Sequence, residues 1–123
     1  MITKNVTLTV KENTAKLSSK LFLFKSDGNI RFIIDIKGLN YTFDSNQFVC
    51  SCIIEKPDKS LLRYDNMEVN GTEVYLTFEP SMIDELSEVG KHRIQLSLHS
   101  TILKDDKLTL PIFEIEVLKG LGD

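Results

Sequence analysis

Ile30-Arg31-Phe32-Ile33-Ile34-Asp35-Ile36-Lys37 is the stretch that decides the fold of this chain. Large apolar side chains occupy every second position, and charged side chains fill most of the positions between them. Successive side chains of a β-strand point to opposite faces of its sheet, so this period of two predicts a strand with one buried face. Gly38 is predicted to end the strand.

The same alternation recurs along the chain in segments separated by turn residues. Strands are predicted at residues 5–11, 21–24, 48–55, 61–64, 73–78, 92–99 and 107–118. Phe48–Glu55 is apolar on both faces, which predicts a central strand, and Pro111 is expected at an edge or a bulge because it lacks an N–H. Asp27-Gly28 predicts a tight hairpin-type reversal, and Asn70-Gly71 predicts another turn.

Residues 80–88 break the alternation and predict one or two helical turns. Pro80 suits the first position of a helix, apolar residues follow at positions 82, 83 and 86, and Gly90 is a candidate terminator. Long helices are absent, so the chain is predicted to be all-β: an immunoglobulin-like antiparallel β-sandwich of about 7–8 strands with one short helix near residues 80–88. Its 123 residues form a single predicted domain, in which residues 119–123 are typical of a linker leading to a further C-terminal region.

Composition argues against several kinds of partner. The net charge is −3 with mixed signs along the chain, no basic cluster suits a nucleic acid, and no apolar run approaches the ~20 residues of a membrane span. The N-terminus has no apolar core of a signal peptide. Cys50 and Cys52 lie two positions apart on one strand, where their Cβ atoms would be about 6–7 Å apart, too far for a disulfide. We interpret them as reduced core thiols, consistent with synthesis in a cytoplasm, and not as a metal or redox site.

The residue types that carry catalysis are present in patterns that have structural explanations. His92 and His99 are seven positions apart on one predicted strand and so face opposite ways. Asp84, Glu85 and Glu88 are expected on the solvated face of the short helix, and Glu114 and Glu116 on the outer face of the last strand. The loop Lys104-Asp105-Asp106-Lys107 lacks the ordered oxygen ligands of a calcium loop. We therefore predict no catalytic, cofactor or metal site, and no enzyme activity.

Aromatic side chains offer one alternative function. Tyr41, Phe43, Phe48, Tyr64 and Tyr75 could form an exposed row on one sheet, which is how a carbohydrate- or cell-surface-binding β-sandwich module would present them. No tryptophan is present, and most phenylalanines fall on predicted core faces. This alternative predicts that the tyrosines lie together on the surface.

A combination of segments resembles a known family. An apolar run ends in Ser26-Asp27-Gly28-Asn29, Lys56-Pro57-Asp58 forms the central turn, a short helix precedes Val89-Gly90-Lys91, and Leu110-Pro111-Ile112-Phe113 opens the last strand. The chain, from about residue 7 to residue 119, is similar to the N-terminal domain of the baseplate upper proteins of tailed phages that infect Gram-positive bacteria. Lys59 stands where that family often has glycine, which leaves the turn type open.

The resemblance implies a structural role. In that family the N-terminal domain is sandwich-like and docks to the baseplate core, and a following stem carries the receptor-binding proteins. This chain is accordingly expected in the virion, at the tail baseplate, after synthesis in the bacterial host cytoplasm. Its expected partners are other baseplate and tail proteins and receptor-binding proteins, reached through protein–protein contacts, with homo-oligomers in the assembled virion.

Overall fold

The computed structural model describes residues 1–40, 42–86 and 88–122 and consists mainly of β-strands with one short helix. The elements are, in chain order, β1 (Ile2–Lys11), β2 (Thr14–Leu17), β3 (Leu21–Phe24), β4 (Ile30–Lys37), β5 (Phe48–Glu55), β6 (Leu61–Asn70), β7 (Glu73–Phe78), α1 (Pro80–Leu86), β8 (Gly90–Ser100), β9 (Lys107–Thr109) and β10 (Phe113–Leu118). No helix within the described residues is long and apolar enough to cross a membrane.

The strands form one continuous, curled sheet. Nine of them follow the hydrogen-bonded order β2-β1-β4-β7-β6-β5-β8-β10-β3, and β9 pairs with β8. β6 joins the two halves, because its first part pairs with β5 and its last three residues pair with β7. A register shift between Cys50 and Cys52 and a left-handed Asn66, with φ of 61°, mark the bend between these parts. At the other side β2 approaches β10, so the sheet curls back toward itself.

The all-β class and the short helix are confirmed, whereas the immunoglobulin-like antiparallel sandwich is not. The ladder continues through β6, and two of the strand pairs are parallel: β1 with β4, and β10 with β3. The hairpin predicted at Asp27-Gly28 is wrong, because β3 and β4 belong to different pairings. The Asp27 carboxylate instead accepts a hydrogen bond of 2.9 Å from the Phe24 N–H and holds a turn between the two halves.

The core lies inside the curl and is built from the alternating apolar positions. Phe32 of β4 and Phe78 of β7 are fully buried and meet edge to face, with ring centroids 5.9 Å apart. Each buried aliphatic or aromatic side chain stabilises the fold by about 1.5–3 kcal/mol relative to an exposed one, so the inward faces supply most of the driving force. β5 is central, as predicted, with β6 on one side and β8 on the other.

Element boundaries depart from the predictions at several places, and both β1 and β8 are longer than the predicted ranges 5–11 and 92–99. β2 was not predicted, β6 extends six residues beyond the expected end at residue 64, and the predicted strand at 107–118 is divided into β9 and β10 with Pro111 between them. α1 begins at Pro80 and buries Ile83 and Leu86. Ser87, inside the predicted helical range, lies outside the described residues, and Gly90 begins β8 instead of capping the helix.

The central turn keeps the geometry that glycine would favour. Lys59 has φ of 74°, in the left-handed region, and its N–H donates to the Lys56 carbonyl over 2.9 Å. The Asp58 carboxylate accepts hydrogen bonds from the hydroxyl and the N–H of Ser60, which lower the pKa of Asp58 to about 2. The turn is therefore held by side-chain hydrogen bonds despite an unfavourable backbone conformation at its lysine.

Candidate functional site

Cys50 and Cys52 lie side by side on the inner face of β5. Both are free thiols with no exposed surface, and burial raises the pKa of Cys50 to about 12 and that of Cys52 further. Reactive cysteines need the thiolate, which these apolar surroundings disfavour. The interpretation as reduced core thiols is confirmed.

The two histidines face opposite sides of β8, as predicted. His92 is fully buried, and its ring nitrogens lie 3.0 Å from the Gly90 carbonyl oxygen and 3.3 Å from that of Leu86. The ring N–H thus donates to one of these two backbone carbonyl oxygens at the junction of α1 and β8. His99 lies on the outer face and shares no described ligand or hydrogen bond with His92.

The outer face of β5 and β6 carries a polar cluster of the residue types that a hydrolase uses. Ser51 is buried and donates a 2.8 Å hydrogen bond to Asp65, which also accepts a 2.9 Å hydrogen bond from Arg63. These two hydrogen bonds hold the pKa of Asp65 below its ordinary value. Because Asp65 is already paired with the Arg63 guanidinium and its pKa is lowered, it is a weak base for the Ser51 hydroxyl, and the arrangement is that of a structural network.

The other carboxylates that the sequence singled out lie at or near the surface, and Glu88, which follows the end of α1 at Leu86, is partly exposed and close to the Asp58 side chain. Asp84, Glu85 and Glu114 are exposed, and Glu116 faces outward on β10. Lys104 and Lys107 line an open depression together with Arg63 and His99, a cationic lining that repels a calcium ion. Within residues 1–40, 42–86 and 88–122, no group of three or more histidine, cysteine or acidic residues is placed to hold a metal ion.

The aromatic side chains are dispersed where they are described. Phe43 is buried and packs edge to face on Phe48, with centroids 5.2 Å apart. Tyr64 faces inward beside α1, where burial and the Glu85 carboxylate raise the pKa of its hydroxyl to about 12. Tyr75 faces outward on β7 and donates to Glu73 over 2.8 Å. Tyr41 lies outside the described residues. The exposed row that a sugar-binding module requires is therefore not present among the described aromatics.

An exposed pair of aliphatic side chains was missed by sequence reasoning. Ile102 and Leu103, 67% and 59% exposed, stand at the end of the β8–β9 loop. Their N–H groups donate to Ser100 Oγ over 3.1 and 2.9 Å, and Thr101 N–H donates to the Gln47 carbonyl over 2.8 Å. We call these two residues the apolar tip. The sequence feature that could have revealed the apolar tip is the Ile-Leu pair itself, because it lies in a loop and loops consist mostly of polar residues.

The same arrangement of strands occurs in a solved phage protein. The N-terminal domain of phage TP901-1 ORF48 superimposes with a TM-score of 0.64, over 95% of this chain and 98% of that domain. The two chains therefore have a similar fold. The sequence identity is 12%, so the likeness concerns the fold. No family model matches the sequence, and no curated protein matches it.

The resemblance predicted from sequence is confirmed at the level of the fold. The structural likeness covers 95% of this chain. The surface features of the described chain that remain to be considered are the apolar tip and the unpaired edges of the sheet.

Proposed function

We propose that this chain is a structural domain of a phage tail baseplate, which docks to the baseplate core and supports receptor-binding proteins through protein–protein contacts. The observation that carries the proposal is the fold shared with the TP901-1 ORF48 domain over 95% of the chain. The family resemblance of the sequence supplies the baseplate assignment. The virion is accordingly the proposed location.

The chemistry of the surface supports a role in contact and not in catalysis. The Ser51–Asp65 hydrogen bond ties up the hydroxyl, the thiols are buried, and the two histidines are on opposite faces. The apolar tip, in contrast, presents two aliphatic side chains on a loop fixed by hydrogen bonds. Exposed apolar side chains on a rigid support are typical of protein contact sites. The proposal therefore includes no enzyme activity, and it includes homo-oligomers within the virion.

The experiment that tests this role uses particles of the phage or prophage that encodes the chain. Mass spectrometry of purified particles is expected to detect the chain together with the tail proteins. The purified chain is also expected to co-elute with the baseplate core in size-exclusion chromatography. Phe32→Asp, which places a charge in the core, is the control for non-specific capture by an unfolded chain. The proposal would be contradicted if the chain were absent from the particles, or if Phe32→Asp co-eluted with the baseplate core to the same extent as the unaltered chain.

A further inference from the structure

The β1–β2 hairpin opens part-way along its length. Leu8 to Lys11 of β1 pair with β2, and the last contacts are the Ser18 N–H with the Thr7 carbonyl over 2.8 Å and the Thr7 N–H with Ser18 Oγ over 3.0 Å. Beyond Ser18 the chain leaves β1 and enters β3, which pairs with β10. Residues 2–6 of β1 and residues 21–24 of β3 therefore diverge. We call the space between these two strand edges the seam.

Backbone groups in the seam have no strand partner among the described residues. Alternate residues of a strand direct their N–H and C=O groups to the same side. The N–H and C=O groups of Thr7 point toward β2, and the N–H of Ile2 donates toward β4. Thr3 and Asn5 are oriented like Thr7, so their N–H and C=O groups point into the seam. On the opposite edge Lys25 donates to Leu118 of β10, so Phe22 directs its N–H and C=O away from β10.

A charged side chain stands inside this opening. Lys4 shares the inner face of β1 with Val6 and Leu8 and is half-buried. Its Nζ lies 4.5 Å from the centroid of the Phe22 ring, and no carboxylate of the described residues forms an ion pair with it. Phe22 itself is 41% exposed. An inward-pointing lysine at an open edge disfavours pairing with an uncharged apolar strand.

The segment that contains both edges of the seam is basic, in contrast to the rest of the chain. Residues 1–26, which contain β1, β2 and β3, carry five lysines and one glutamate, whereas the whole chain has a net charge of −3. Glu114 and Glu116 on neighbouring β10 are already opposite Arg93 and Lys91 of β8. A second copy of this basic edge would be repelled, and an acidic segment would be attracted.

We propose that the seam is a strand-addition site for an extended, acidic segment of a partner protein. The inference rests on the proposed docking role and names the surface and the chemistry of the partner. The added strand would bond through its main chain to Thr3 and Asn5, place a carboxylate on Lys4, and lay an apolar side chain on Phe22. Strand addition of this kind draws affinity from the main chain and specificity from alternating side chains.

A labelled peptide tests the main-chain part of this site. The probe is an eight-residue peptide of alternating valine and glutamate, measured by fluorescence polarisation. Thr3→Pro removes one seam-facing N–H that the fold does not use, and Thr3→Ala is the matched control that keeps it. Proline is tolerated where the N–H of an edge strand faces solvent, so the variant folds. Binding is expected to weaken at least tenfold in Thr3→Pro and to stay unchanged in Thr3→Ala. Asn5→Pro and Asn5→Ala form a second pair, should Thr3→Pro not fold.

The charge part is tested separately. Lys4→Glu is expected to weaken binding at least tenfold and Lys4→Arg to preserve it, and a valine–lysine peptide is expected not to bind. Hydrogen exchange at Thr3 and Asn5 is expected to slow at least tenfold when the valine–glutamate peptide is bound. Equal binding by Thr3→Pro and Thr3→Ala, or no binding by the unaltered chain, overturns the strand-addition site.

The same variants separate this inference from the docking role. If the unaltered chain and Thr3→Pro bind the purified baseplate core equally, the seam is overturned while docking stands. If the chain binds the acidic peptide but not the core, docking is contradicted while the seam stands. Loss of core binding in Thr3→Pro, with retention in Thr3→Ala, supports both.

Discussion

His92 lies on the inward face of β8, where the next alternate positions are Ile94, Leu96 and Leu98. Its two ring nitrogens lie within hydrogen-bond distance of the Gly90 and Leu86 carbonyl oxygens, where the end of α1 meets the sheet. His92→Leu would remove the hydrogen bond that the ring N–H donates, while the Leu86 carbonyl keeps the Glu88 N–H as a donor, and we expect a loss of about 0.5–1.5 kcal/mol in the free energy of unfolding. Urea denaturation measures it. His92→Gln, which retains an N–H, should recover part of the loss, and His99→Leu on the outer face should change stability by less than about 0.5 kcal/mol. An equal loss in His99→Leu would contradict this role.

For an individual residue, the sequence predicts which face of a strand the side chain lies on but not which partner it contacts. Alternation was sufficient to place His92 and His99 on opposite faces and Cys50 with Cys52 on one face. The partners of His92 come from the end of α1, and those of Ser51 come from β6. These contacts depend on how separate elements pack, which no local pattern specifies.

Lys59 determines the geometry of the turn between β5 and β6. Its φ of 74° costs a side-chain-bearing residue about 1–2 kcal/mol, which glycine avoids at the expense of greater freedom in the unfolded chain. Lys59→Gly is expected to raise the free energy of unfolding by about 0.5–1 kcal/mol, measured by urea denaturation. Lys59→Ala loses the same 3.9 Å ion pair with Glu55 but keeps the strain, so it should show no gain. A gain of equal size in the alanine variant would show that the effect comes from removal of the lysine side chain and not from relief of backbone strain.

Strands with a buried face were predictable, including the edge strand β3, whereas β2 was not. β4 and β7 were predicted with their observed bounds because each alternates between buried and more exposed positions, and β5 because it is apolar on both faces. β2 has no buried residue, so it gives no alternation signal. The second part of β6 was missed because Asp65-Asn66 interrupts the pattern at the bend, where Asn66 has a left-handed backbone. The seam was also missed, because its two edges can be recognised only when the pairing of the strands is known.

For the whole molecule, the number and class of strands were predictable, whereas the order of pairing was not. The pairs β1–β4 and β10–β3 join segments far apart in sequence, and each strand alone is equally compatible with parallel or antiparallel neighbours. The decisive feature is β6, which passes from one half of the sheet to the other and makes a single curled sheet where a two-sheet sandwich was expected. The apolar pattern determines burial, and the bend at Asn66 determines the architecture.

A continuous β6 has a consequence for unfolding, because neither half can lose this strand without exposing the shared core. We expect amide NMR signals from Ile34 in one half and Ile94 in the other to disappear at the same urea concentration. Met67 is 9% exposed and lies on β6 where the pairing passes between the two halves. Met67→Ala is therefore expected to lower the free energy of unfolding by about 2–3 kcal/mol and to lower both urea midpoints equally. Leu61→Ala, on the same strand but 65% exposed, should leave both midpoints unchanged. If Met67→Ala shifted only one of the two midpoints, the halves would fold as separate units, and β6 would be a tether between two sheets instead of the strand that makes them one.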